Sequence, residues 1–219
     1  MDITKFGHAT LLLEQDGTRI LVDPGSFTDA AAFEVDGLAA VLITHEHPDH
    51  VQPDRMPALL AANPGAVVAG PPSVASLLRG TTDVRVLQDG DALDLGPLTV
   101  DVVGGAHQLV HPRMPRIENV GLVVADADGT RLFHPGDSYE VVPEGIDVLA
   151  VPISSPWGKL GETVDFISAV APRTVFPIHD ALLSRAGRQL FWSWIPMLVG
   201  DAVTSTDPDP GQRFRAHPA

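Results

Sequence analysis

The chain has 219 residues, 44% apolar content, a formal net charge of −14 and no cysteine. That length suits one domain with a sizeable core, and no apolar run is long enough to span a bilayer, so no integral membrane association is expected. The acidic balance argues against a general affinity for nucleic acid, and the lack of thiols leaves histidine and carboxylate as the side chains that could hold a metal.

The opening residues carry no basic region followed by an apolar core, which makes the cytoplasm the expected location. Residues 2–6 and 10–14 read as strands, with the turn Gln15-Asp16-Gly17-Thr18 between the second and a third strand at 19–23. A buried strand at 39–44 follows, then helices at 53–62 and 71–79 separated by a short strand at 66–69. Strands at 84–87 and 98–103 lead into a long connection, 104–118, of the kind that is usually functional. A hairpin at 119–125 and 130–133, a strand at 147–151, a helix at 162–171, a strand at 173–176 and a last helix at 181–198 complete the series. Leu183, Leu190, Phe191, Trp194, Ile195 and Leu198 form a stripe on that helix, read as core packing. The domain is expected to end at 199, with 200–219 a loose tail rich in Asp, Pro, Gly and Arg. Strand-rich halves each followed by helices suggest two sheets face to face with helices outside.

Chemistry collects at strand ends: His8, Asp23, the run His45-Glu46-His47-Pro48-Asp49-His50, His107, His134 with Asp137, and His179 with Asp180. Three of the nine histidines fall within 45–50. In an extended segment alternate residues point the same way, so His45 and His47 can reach one metal together. Pro48 redirects the backbone, and Asp49 and His50 can then address a second position. Nitrogen and oxygen donors without sulfur suit zinc first, with manganese or iron as alternatives.

The run Thr44-His45-Glu46-His47-Pro48-Asp49-His50 resembles the T-H-x-H-x-D-H signature of the metallo-β-lactamase superfamily. His107, Gly136-Asp137-Ser138 and His179 follow in that family's order, and the likeness covers roughly 1–198. Phe6-Gly7-His8-Ala9-Thr10 and Val22-Asp23-Pro24-Gly25 are similar to the branch with L-ascorbate-6-phosphate lactonase-like and N-acyl-phosphatidylethanolamine phospholipase D-like proteins. The resemblance implies an α+β fold, the four-layer αββα sandwich of two mixed sheets. It implies two divalent ions, one on His45, His47 and His107 and the other on Asp49, His50 and His179, with Asp137 bridging. His111 is a possible substitute for His107.

The activity so implied is a hydrolase with a metal-bound hydroxide, cleaving a small-molecule phosphodiester, lactone, other ester or amide. Asp49 could orient the nucleophile, and His8 and His111 are candidates for substrate contact or for protonating the leaving group. Lys159, one of two lysines, could meet an anionic substrate. Asp23 reads as a turn residue or a support for a metal-bound histidine, and His134 as structural. Two other classes stay open: an oxidoreductase resembling the mononuclear iron persulfide dioxygenases, and a non-catalytic metal-dependent ligand-binding module. The expected partner is a small-molecule substrate, and a homo-oligomer is compatible with the chain.

Overall fold

Successive residues of a strand face opposite sides of its sheet, so a continuous apolar run demands burial on both faces. That demand sets the architecture of the computed structural model, which describes residues 1–215. Strands β1 (Asp2–Lys5), β2 (Leu11–Gln15), β3 (Thr18–Val22) and β4 (Ala40–Leu42) precede helix α1 (Met56–Ala62), strand β5 (Val67–Gly70), helix α2 (Pro72–Leu77) and strand β6 (Arg85–Val86). Strands β7 (Ala92–Asp94), β8 (Leu98–Val103), β9 (Gly121–Asp126), β10 (Arg131–His134) and β11 (Val148–Pro152) follow. Helix α3 (Leu160–Val170), β12 (Thr174–Ile178), helix α4 (Arg185–Val199), β13 (Thr204–Ser205) and β14 (Arg213–Arg215) complete the described chain.

The strands form two mixed seven-stranded sheets, ordered β14-β1-β2-β3-β4-β5-β6 and β13-β12-β11-β10-β9-β8-β7. Leu11, Leu13, Ile20, Val22 and Leu42 of the first sheet pack against Val100, Leu122, Val124 and Phe176 of the second, making the central core. Their neighbours Leu12, Leu21, Val41 and Ile43 face outward and bury Met56, Leu59 and Val74 of α1 and α2. On the far side, Val123, Phe133, Leu149 and Val151 take Phe166, Ile167, Trp192 and Ile195 of α3 and α4. Three apolar layers between four layers of elements are the expected αββα sandwich.

Two expectations change. The segment from Gly200 does not lie loose as far as it is described: Thr204 pairs with Thr174 in parallel, and 213–215 pair antiparallel with β1. Phe214 reaches the central core, its ring 5.2 Å from that of Phe176. Unsatisfied edge strands of both sheets give the polar tail its partners, which composition cannot anticipate. The last part of the expected tail, 216–219, lies outside the described residues. The stripe on the last helix is also displaced. Of its members Ile195 is buried and Leu183 packs against the core as expected, whereas Leu190, Trp194 and Leu198 are exposed and Trp192 is buried instead, because the inward face of α4 follows 192, 195 and 199.

Deleting 200–219 should therefore destabilise the protein. Loss of the half-buried Phe214 ring alone is worth about 1–2 kcal/mol, a fall of roughly 2–8 °C in Tm. An unchanged thermal midpoint would mean that the edge strands contribute nothing.

Candidate metal centre

Six strand ends converge on one rim. His8 follows β1, Asp23 follows β3, residues 45–50 follow β4, His107 follows β8, Asp137 follows β10 and His179 follows β12. The side chains form two quartets, His45, His47, His107 and Asp137 in one, His8, Asp49, His50 and His179 in the other. Within each quartet the potential ligand atoms all lie within 4.8 Å of one another. Asp137 stands between the two. Its Oδ2 is 3.1 Å from His179 Nε2, 3.4 Å from His107 Nε2 and 3.9 Å from His45 Nε2, and its Oδ1 is 3.2 Å from His50 Nε2.

Four imidazoles are oriented by what stands behind them. His107 Nδ1–H donates to the Gln108 carbonyl and His179 Nδ1–H to the Ser154 carbonyl, both at 2.6 Å. His50 Nδ1–H donates to Asp23 Oδ2 at 2.7 Å. Thr44 Oγ1 donates to the same carboxylate and so accepts from His45 Nδ1–H at 3.0 Å. A carbonyl can only accept, so in each neutral ring the proton is assigned to Nδ1, and Nε2 is the inward nitrogen that becomes free for an ion. Asp23, fully buried, also accepts the Thr44 N–H at 2.7 Å. Its role is to back the site, one of the two assignments its sequence context left open.

His8 has the opposite tautomer. Its Nδ1 accepts the Ala181 N–H at 3.4 Å, so Nε2–H donates to Asp49 Oδ2 at 3.0 Å. His8, Asp23 and His179 all take left-handed backbone angles, with φ of 46°, 47° and 54°. Such residues are uncommon outside glycine and collect where a site is over-determined by its surroundings.

Electrostatics already balance the cluster. Burial pulls His45 well below its ordinary pKa, with His50 beside it adding to the effect. Burial also opposes the charged form of His50 and His179, but the surrounding carboxylates together outweigh it, Asp137 with Asp23 at His50 and Asp137 with Asp49 at His179. His50 is held well above its usual range and His179 is pushed up to about 9. Burial would raise Asp137, yet His50 and His179 hold it well below the usual carboxylate range.

Divalent metal fits what the residues leave unsatisfied. Among the described residues, His50 Nε2, His107 Nε2 and Asp137 Oδ1 are buried without a hydrogen-bond partner, and buried polar atoms rarely stay so without an ion or water. All three face the same space. His47 and Asp49 are half-buried, leaving an approach from solvent.

The remaining candidates lie apart. His111 is exposed, accepts the Arg113 N–H at 3.1 Å and borders a cavity beside His47 and His107. It is in neither quartet, so His107 needs no substitute. Lys159 has an 85% exposed side chain, 3.6 Å from Glu162, and does not enter the cluster. His134 bonds the Ala9 carbonyl at 2.9 Å and is structural. One contact was not legible: Trp157 Nε1–H donates to Asp137 Oδ2 at 3.1 Å. In the segment that leads to Lys159, the Trp157 indole and the Ser154 carbonyl are what touch the site.

Residues 2–179 match the family described as the beta-lactamase superfamily domain. Protein Rv0786c of Mycobacterium tuberculosis is 44% identical over 194 residues, covering 88% of this chain and 90% of that protein. A UPF0173 metal-dependent hydrolase of Methylobacterium nodulans is 30% identical over 203 residues, covering 82% of this chain and 84% of that one. The crystal structure of CmlA, a diiron β-hydroxylase from Streptomyces venezuelae, aligns with a TM-score of 0.77 at 17% identity, over 98% of this chain and 54% of that one. At that identity the likeness concerns the fold alone.

Two outcomes follow from the geometry. A Cβ on Gly25 would lie 1.8 Å from the Asp49 carbonyl oxygen, so the backbone of the 45–50 segment would have to move. Gly25→Ala should cost more than about 2 kcal/mol and abolish uptake of divalent ions; wild-type uptake by this variant would contradict the packing. The second outcome concerns pH. His179, raised from 6.5 to about 9, must lose its proton before Nε2 can hold an ion. Its charge stabilises the ion-free fold below pH 6.5, and that contribution is lost as pH rises through about 9. Ion uptake should therefore tighten between these values with release of protons, measurable by calorimetry in buffers of different ionisation enthalpy. Uptake independent of pH would refute it.

Proposed function

The chain belongs to the metallo-β-lactamase superfamily, and from that premise we propose that it is a metal-dependent hydrolase of small molecules with a dinuclear centre. The observation that carries this is the set of inward-facing atoms of His45, His47, His107, Asp49, His50, His179 and Asp137, several of them buried and unpartnered. His45, His47 and His107 would hold one ion, Asp49, His50 and His179 the other, with Asp137 shared. Zinc suits this nitrogen-rich set, with manganese or iron as alternatives. When bound, such ions lower the pKa of water to about 7 and polarise the oxygen of a carbonyl or phosphoryl group.

The chain's own groups do the rest. His8 donates Nε2–H to Asp49 and aims it, and His179 together with His8 keeps that carboxylate ionised against the effect of its burial. Asp49, on the open side, can orient the incoming water by accepting a hydrogen bond from it. Outside the quartets, His111 stands at the cavity rim, where it can return a proton to a leaving group.

That cavity, of about 100 Å³, abuts His47 and His107 and is lined by Leu109, Val110, Met114 and Ile117. It also borders Arg116, whose guanidinium is occupied by the His107 carbonyl at 2.7 Å and by Glu140. An apolar lining with its cation already paired favours an uncharged ester, lactone or amide with a small apolar group over an anionic phosphodiester. The presence of a second quartet supports hydrolysis with two ions over a single-iron oxidoreductase.

Zinc-loaded protein should hydrolyse p-nitrophenyl butyrate or a γ-lactone faster than bis-p-nitrophenyl phosphate. His45→Ala with His47→Ala should lose ion binding and hydrolysis together while the far-ultraviolet dichroism persists. Oxygen consumption by iron-loaded protein, with no hydrolysis of any of these substrates, would contradict the assignment.

A further inference from the structure

Trp157 lies on the connection between β11 and α3 and is buried. Its indole N–H donates to Asp137 Oδ2, the oxygen already faced by His179, His107 and His45. The ring stands edge-on to one imidazole of each quartet, 6.0 Å from His107 and 6.1 Å from His179. Behind it is Tyr139, 5.0 Å between centroids. The Tyr139 hydroxyl is anchored to the Pro152 carbonyl and Thr163 Oγ1. The same connection supplies the Ser154 carbonyl that fixes His179.

We propose that Trp157 is a positioning residue for the shared carboxylate, its indole N–H holding Asp137 Oδ2 so that Oδ1 stays turned toward His50. This role rests on the two-ion reading of the site. Carboxylates that ligate metals are themselves hydrogen-bonded, and those partners tune affinity. Without the indole, nothing but imidazoles would restrain the torsion that sets which oxygen faces which quartet. The donor type matters as well. An indole N–H donates only and carries no charge. A lysine or arginine there would add positive charge beside two dications, at a distance where like charges repel strongly in a buried site. A phenylalanine would fill the space but leave Oδ2 free to rotate.

The test is ion affinity, measured on the full chain stripped of metal and titrated with zinc against a chromophoric chelator. Trp157→Phe should weaken binding about 10–100-fold, with unchanged far-ultraviolet dichroism. Because the smaller ring also changes packing, a second variant carries β-(3-benzothienyl)alanine at 157, which keeps the shape and replaces N–H by sulfur. It should lose affinity to a similar degree. Tyr139→Phe, which removes the hydroxyl behind the ring but leaves the indole, should bind within about twofold of wild type. In addition, cobalt should quench part of the wild-type tryptophan emission, and this component should vanish in Trp157→Phe although Trp192 and Trp194 remain. Wild-type affinity in the benzothienyl variant, or an equal loss in Tyr139→Phe, would overturn the role while leaving the two-ion centre intact. Failure of the wild-type chain to bind zinc would overturn the functional reading and this role with it.

Discussion

Everything at the centre depends on where four imidazole protons go. His45, His50, His107 and His179 each direct Nδ1–H outward, onto Thr44 Oγ1, Asp23, the Gln108 carbonyl and the Ser154 carbonyl. Each outward bond determines which nitrogen is bare once the ring is neutral. Reverse any one of these and Nε2 would carry a proton even in the neutral ring, with no lone pair for an ion. The acceptors belong to strand ends and to the connections that follow them. Asp23 is the most constrained of them. It takes three donors while sitting in a left-handed backbone conformation with no exposure to solvent.

Such an arrangement is expensive to hold without a sandwich around it. Burying imidazoles and carboxylates together has to be compensated by pairing. The two sheets supply both walls, and a buried ion network braces the segment that carries His179. Lys5 Nζ lies 2.6 Å from Asp180 Oδ2, beside His179, and Arg188 Nε lies 2.7 Å from the same oxygen. Arg188 reaches on to Asp207. The turn that carries His179 is thereby tied to β1, to α4 and to the segment after it. Removing one partner of a buried pair of this kind typically costs about 3–5 kcal/mol, so the C-terminal region and the site share a single mechanical frame.

The parts legible in the sequence are those whose signal is local. Ligand types at alternate positions in 45–50 and apolar runs in the strands can be read without knowing any partner, and the sandwich architecture follows from the latter. Contacts between distant segments are different. Trp157 meets a carboxylate twenty positions earlier, and nothing near it in the chain distinguishes an indole donor from a packing residue. Thr44 looks like the end of a strand, yet its hydroxyl relays between Asp23 and His45. Strands β13 and β14 are two and three residues long, too short for any periodicity to show. Spacing alone does not separate His107 from His111; the path of the 104–118 connection brings one in and leaves the other at the rim.

The central claim is that these side chains gather two divalent ions around one carboxylate. Anomalous diffraction from crystals of the zinc-loaded protein tests it most directly. Two peaks are expected, one about 2.0–2.2 Å from the inward atoms of His45, His47 and His107, the other similarly close to those of Asp49, His50 and His179, with Asp137 reaching both. A fully loaded crystal with no peak between these residues, or with zinc bound only elsewhere on the surface, would contradict it.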